Sequence, residues 1–289
     1  MKTIGGKGFN LIVLAQGGFR VPNAFIISEE AFREYRSCLN CPPDVDDESS
    51  LTEEQTESIQ KQFDAYELRE ELVSEIQNQL HDLVNNSCIC DPLLAVRSSG
   101  VTEDLENASF AGMNDTILNV HCDVDSVCKA IKQCWKSLYA YRSVQYRVKN
   151  GYPAFNTSIA VVVQLMIPAD CAGVAFTADP QTGSRAHISL DGVRGMGEAL
   201  VSGQVNTDHW SIRKPYGNRQ LSIEREILGH QSYKLVSNYP KEGTSKVELS
   251  PEETSHSCFS PAQVRSPVRL NDRSTRSATR QSRSRSTTR

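Results

Sequence analysis

No apolar run in these 289 residues approaches the roughly 20 that a membrane-spanning helix needs. No hydrophobic stretch leads the sequence either, so the expectation is a cytoplasmic protein with reduced thiols and no membrane partner. The nine cysteines lack metal-site spacing. Cys38/Cys41 and Cys88/Cys90 are the closest pairs, and neither has a matching second half with histidines, which argues against zinc. A Walker A loop is missing too: Gly5-Gly6-Lys7-Gly8 has neither four residues between its glycines nor a hydroxyl after its lysine. From Thr254 onward large apolar residues almost vanish, so this segment cannot bury enough surface to fold and is expected to be a disordered Arg/Ser-rich tail.

The net charge of −4 conceals an asymmetry. Eight arginines and one aspartate from Thr254 onward give the tail +7 and leave about −11 for the rest. An acidic body argues against nucleic acid as its main partner, and only the basic tail suits RNA or another acidic surface. Lys129, Lys132, Lys136, Tyr139, Tyr141, Arg142 and Arg147 form a basic and aromatic mix on one predicted helical segment, for which a solvated helix face is the preferred reading.

What the chain does contain is concentrated between Ala95 and Val120, AVRSSGVTEDLENASFAGMNDTILNV. The pattern predicts a strand ending on Arg97, a hydroxyl-rich turn, an acidic excursion and a second strand. An arginine fork, two hydroxyls and backbone N–H groups suit a phosphate. The same residues also suit an ordinary surface loop whose arginine pairs with Glu103 or Asp104, and chemistry alone leaves both readings open.

Around it, Gly5-Gly6-Lys7-Gly8 reads on its own as a turn, followed by a short helix over Leu11–Ala15. A strand is predicted over Ala24–Ile27, and Ser28 caps the next helix. Thr52 and Gln55 have the capping-box form ahead of a long polar helix reaching about Asn85. Asp123 caps another that reaches about Lys149. Ile159–Ile167 is too β-branched to be an exposed helix and reads as a buried strand interrupted by Gln164, whose amide must find partners there. Turn chemistry at Asp179–Gly183 separates two strands, and four more follow as a half-exposed antiparallel sheet. Glu198 either faces a metal ion or ribose, or caps a short helix.

Four stretches in this order, GGKG, VRSS through SFAG to DT-x-LN, VVVQLMIPADCAGVAFTADPQTG and GMGEALVSG, resemble the nucleotide-binding domain of the phosphoenolpyruvate synthase and pyruvate phosphate dikinase family, to which rifampicin phosphotransferases also belong. The resemblance spans Ile4 to about Lys214. It implies an α+β, ATP-grasp-like, two-lobed domain with mixed or antiparallel sheets. The expected divisions are 1–88 for a smaller lobe with long helices, 89–253 for the nucleotide-binding sheet lobe, and 254–289 for the disordered tail. It implies ATP with Mg²⁺ as cofactors, Lys7 and Arg97 on the nucleotide phosphates, Gly112 and Thr116 in a covering loop, and Gln164 beside the adenine.

In such relatives ATP phosphorylates a mobile histidine, which passes the group to pyruvate or a similar acceptor. Nothing past Leu249 matches the family's later acidic strand or Gln-x-Arg pair, so the metal-holding glutamate is expected to be missing from this chain. Thr254-Ser255-His256 lacks the glycines that precede the phosphorylated histidine in relatives. The expectation is therefore a truncated ATP-dependent phosphotransferase domain whose histidine comes from other domains or chains. The alternative is a catalytically silent nucleotide-binding or scaffold module with a basic interaction tail.

Overall fold

The computed structural model describes residues 3–45, 50–87, 89, 91–100, 104–105, 108–109, 116–215, 222–238 and 243–265. The chain divides into two compact units, Met1–Met166 with Tyr239–Gly243, and Ile167–Asn238 with Thr244–Arg289. The break after Met166 differs from the expected boundary at 88/89, because a strand within the first 88 residues is built into the same sheet as the strand ending at Leu165.

The first unit runs α1 (Gly5–Gln16), β1 (Ala24–Ile27), α2 (Glu29–Arg36), α3 (Glu53–Ala65), α4 (Glu70–Asn85), β2 (Leu93–Gly100), β3 (Asp104–Leu105), β4 (Ala108–Ser109), β5 (Thr116–His121), α5 (Val124–Ser137), α6 (Tyr141–Lys149) and β6 (Ile159–Leu165). Its main sheet has the order β1-β6-β2-β5, with antiparallel neighbours throughout. All seven residues of β6 are buried, so this strand needs cover on both faces, and its β-branched composition suits that position. On one face Leu94, Val96, Val161 and Val163 join a core with Phe32, Ile59, Phe63, Val127, Ile131 and Trp135. Trp135 stacks at 5.3 Å on Phe32 and 5.1 Å on Tyr35, a cluster of the kind that supplies several kcal/mol of burial, about 1.5–3 kcal/mol per large apolar side chain. On the other face lies α1.

The expected caps are present: Ser28 accepts from Ala31 N–H, Asp123 from Ser126 N–H, and Thr52 with Gln55 forms the reciprocal box. The two long helices are each broken. After α3 the chain is extended at Tyr66, whose carbonyl accepts from Tyr35 Oη and Lys132 Nζ, both at 2.9 Å. After α5, Leu138 O accepts from the buried guanidinium of Arg147 at 2.7 Å and Ala140 turns extended before α6. Tertiary donors for these carbonyls override helical continuity. Arg147 is held almost wholly by carbonyls, and burial lowers its pKa to about 10. With Tyr139 also buried, neither belongs to a solvent-facing basic surface.

The second unit holds β7 (Cys171–Phe176), β8 (His187–Arg194), α7 (Glu198–Val201), β9 (Asp208–Arg213), β10 (Ser222–Ile227), β11 (Tyr233–Ser237), β12 (Thr244–Glu248), α8 (Pro251–Thr254) and α9 (Pro261–Val264). An antiparallel sheet β10-β9-β8-β7 and a β11-β12 hairpin carry it. Ile188, Leu190, Trp210 and Ile212 form its core with Cys258 and Val264. This corrects the expectation of disorder from Thr254. Two capping boxes, Ser250/Glu253 and Ser260/Gln263, start short helices. Between them Phe259 stacks on Trp210 at 5.5 Å, over strand positions Gly173 and Gly192. Residues 266–289, with most of the tail's arginines, lie outside the described residues. Among the described residues no helix is long and apolar enough to cross a membrane.

Candidate functional site

The sheet face covered by α1 carries the residues singled out from the sequence. Side chains alternate along a strand, so Leu94, Val96 and Ser98 of β2 turn to the α5 core while Ala95, Arg97 and Ser99 turn the other way. Ser99 fixes the helix to this face: its Oγ accepts from Gly8 N–H and donates to Ile4 O, both at 3.0 Å. Gly5 must be a glycine here. Its φ is +67°, and a Cβ would stand 2.0 Å from Ser99 O. The Gly-Gly-Lys-Gly cluster is therefore the opening of α1 packed directly on β2, not a turn ahead of a later helix.

That packing sets Lys7. Its ammonium donates to Ser98 O at 3.0 Å, on the residue following Arg97. Arg97 is half-buried, and among the described residues no carboxylate pairs with it; the side chains of Glu103 and Asp104 lie outside those residues. Its Nη1 donates to Gln164 Oε1 at 3.2 Å, and Gln164 Nε2 donates to Pro22 O at 3.2 Å. Gln164 is flanked across the sheet by Ala24 and Ala95, whose small side chains leave room for its amide. Thr116 is exposed and stands directly opposite Arg97 in the β2-β5 register, so the two share this face. Gly112 lies outside the described residues.

The two serines differ from the sequence expectation. They do not form a hydroxyl-rich turn but lie inside β2, opposite Val161 and Ala160, because the ladder to β6 continues to Gly100. Ser99's hydroxyl is spent on the backbone of α1, and Ser98's is fully buried on the opposite side with no partner among the described residues. Lys7 of α1 and Arg97 of β2 thus bring two cations to this face, and clustered positive charge favours an anion.

Other features fall outside this cluster. A groove of about 750 Å³ between α3 and α5 contains none of these residues, and its charges pair with one another, Lys136 with Asp64 at 2.9 Å and Lys132 with Glu67 at 3.5 Å. Glu198 opens α7 and accepts from Thr244 Oγ1 at 3.1 Å. Sequence reasoning missed Pro22, whose carbonyl anchors Gln164, and the buried Asp208. The Asp208 carboxylate accepts from Gly229 N–H at 2.8 Å and from Cys258 N–H at 2.7 Å. Neither position carries a local signal, since each is defined by a partner distant in sequence.

Residues 1–276 match the family model described as pyruvate phosphate dikinase, AMP/ATP-binding domain. The chain is 34% identical over 279 residues to a probable phosphoenolpyruvate synthase of Archaeoglobus fulgidus, covering 93% of this chain and 36% of that protein. It is 33% identical over 254 residues to a rifampicin phosphotransferase of Bacillus cereus, covering 82% and 29%. Against a probable phosphoenolpyruvate synthase of Methanothermobacter thermautotrophicus it is 35% identical over 222 residues, covering 74% and 32%. The chain thus spans about a third of the length of the curated relatives it matches.

Proposed function

This chain belongs to the pyruvate phosphate dikinase AMP/ATP-binding domain family, and we propose that it is the ATP-binding part of a phosphotransferase resembling phosphoenolpyruvate synthase. In this reading the domain is ATP-grasp-like, with the nucleotide's phosphates on the α1-covered face of the first unit's sheet. Lys7 and Arg97 hold those phosphates, while Thr116 and Gly112 belong to the segment that covers them. The observation that carries the reading is the seating of the Lys7 ammonium on the Ser98 carbonyl, beside Arg97 and on the same face.

Phosphoryl transfer passes through a loose transition state with charge on the equatorial oxygens, so its catalysis is positioning and charge neutralisation. Lys7 supplies a point charge and Arg97 a planar fork, each already fixed by hydrogen bonds before a ligand arrives. A phosphoryl group from ATP then goes to a histidine carried by another domain or chain, and from it to pyruvate or a similar acceptor. Mg²⁺, if bound, would supply further neutralisation of the phosphate charge. Among the described residues no group of three or more His, Cys, Asp or Glu is arranged to hold a metal ion, so no step is assigned to it here.

Calorimetric titration of the 289-residue chain with Mg-ATP, with ATP consumption followed in parallel, tests the proposal. Saturable binding that Lys7→Ala and Arg97→Ala each weaken at least tenfold is expected. Unchanged affinity in both variants would refute the phosphate assignment. Binding without consumption favours the silent module.

A further inference from the structure

We propose that Asn119 is a positioning residue: by holding a left-handed backbone it builds a bulge in β5 that turns Thr116, and not Ile117, to the phosphate face. The inference rests on the phosphate reading above and names what presents one of its residues.

The bulge is written in the register. Leu93 and Leu94 of β2 stand opposite His121 and Val120, whereas Val96 and Arg97 stand opposite Ile117 and Thr116. From Leu94 to Val96 is two steps on β2, and from Val120 to Ile117 is three on β5. Leu118 and Asn119 therefore share the place opposite Ala95, one residue more than a regular ladder holds. The consequence is a change of face. Val120 is fully buried in the α5 core, and Ile117 packs against that same core. Residues three apart on a regular strand point to opposite faces, so the extra residue is what lets both serve it. In an unbulged strand Leu118 and Thr116 would turn to the core, and Ile117 would stand beside the Arg97 guanidinium.

Asn119 is where the chain makes this change. Its φ is +59°, and among the described residues Asp91 is the one other non-glycine with a positive φ. Asparagine visits the left-handed region, whereas a β-branched residue there is an outlier. Asn119 is also fully buried, and it is held from outside the β2-β5 ladder. Its N–H donates to Met166 Sδ at 3.2 Å, and its Nδ2 donates to the carbonyl of Gly243, a residue of the same unit. Bulges beside ligand sites re-aim side chains, and the one re-aimed here is the exposed Thr116, opposite Arg97.

The test uses the full chain with two substitutions. Asn119→Gly adopts the same backbone without strain and loses only the side-chain bond, while Asn119→Val meets steric conflict there. Thermal unfolding identifies the variants that fold. Each is combined in turn with Thr116→Cys or Ile117→Cys, and maleimide labelling at those positions is read by peptide mass spectrometry. Inorganic tripolyphosphate is titrated into the same variants without the added thiol, and into Thr116→Val.

With Asn119 in place, the thiol at position 116 is expected to react quickly and the one at 117 slowly. Asn119→Gly keeps this order and the full affinity. Asn119→Val relieves its strain at the nearby strand end, by detaching Thr116–Leu118 or by re-pairing it one residue out of register. Either route exposes position 117 and takes Thr116 from its place opposite Arg97. Tripolyphosphate binding then falls about tenfold, as loss of one hydrogen bond to a charged group predicts, and Thr116→Val shows the same loss. A folded Asn119→Val protein that still protects position 117 overturns the bulge's dependence on Asn119. An exposed position 117 with unchanged affinity overturns the positioning role and leaves Lys7 and Arg97 standing. No uptake of tripolyphosphate by the wild-type chain overturns the phosphate reading, while the labelling order, read without ligand, tests the bulge separately. If Asn119→Val does not fold, deletion of Asn119 supplies the comparison. With the extra residue gone, a regular ladder again sets Thr116 opposite Arg97, so the deletion variant should keep both labelling order and affinity; loss of either in a folded protein overturns the role.

Discussion

Replacing Gly5 by alanine separates the packing of α1 on β2 from ordinary glycine effects. At φ +67° an alanine pays the left-handed penalty, about 1–2 kcal/mol. Its Cβ would also stand 2.0 Å from Ser99 O, 2.4 Å from Ser99 Oγ and 2.5 Å from Ser99 C. The nearest of these atoms is backbone of a strand paired on both sides, so the helix must move instead. Moving it breaks the two 3.0 Å bonds between Ser99 Oγ and the helix, each contributing about 1 kcal/mol. The expected total is about 3 kcal/mol. Gly18→Ala, at φ +77° with nothing within 4 Å of its Cβ, bears only the backbone penalty of about 1 kcal/mol. Urea unfolding is followed by Trp135 fluorescence in a Trp210→Phe background, so that the first unit is read alone. Equal destabilisation by the two alanines would refute the account of why this helix opens with glycines, and with it the mechanism that seats Lys7.

Two predictions concern the second unit. Asp208→Asn keeps one acceptor but faces either Gly229 or Cys258 N–H with a donor, and should cost about 2 kcal/mol and expose Pro251–Val264 to proteolysis; unchanged protection would show that Asp208 does not hold that segment. The carboxyl of Glu253 is held down to about 2 by the Ser250 N–H and by Lys234 at 2.9 Å. Because its folded pKa lies below the ordinary value of 4.5, the contact stabilises above about pH 4.5 and is lost as pH falls towards 2. A carboxyl titration by NMR should place Glu253 well below an ordinary glutamate and move it up in Lys234→Ala.

Local chemistry was legible in the sequence where local chemistry decides. The caps at Ser28, Thr52 and Asp123 satisfy N–H groups within a few residues, and the β-branched run of β6 has no exposed use. The helix breaks were not legible, since the donors to Tyr66 O and Leu138 O come from other elements. Ser98 and Ser99 have the composition of a turn, but pairing with a strand some sixty residues later makes them strand. The segment after Thr254 looked too polar to fold, yet Phe259, Cys258 and Val264 dock residues 254–265. Its two Ser-Pro capping boxes were the overlooked signal. At the site, motif resemblance named Lys7, Arg97 and Thr116, and the fold brings them to one sheet face; the Gln164 to Pro22 contact required coordinates.

The account stands on Lys7 and Arg97 serving one phosphate-binding site. Titrating tripolyphosphate into the wild-type chain, Lys7→Ala, Arg97→Ala and the double variant measures this without any contribution from a base or sugar. The account predicts that each single substitution weakens tripolyphosphate binding at least tenfold and that the double variant binds more weakly than either. Unchanged affinity in either single variant would contradict it.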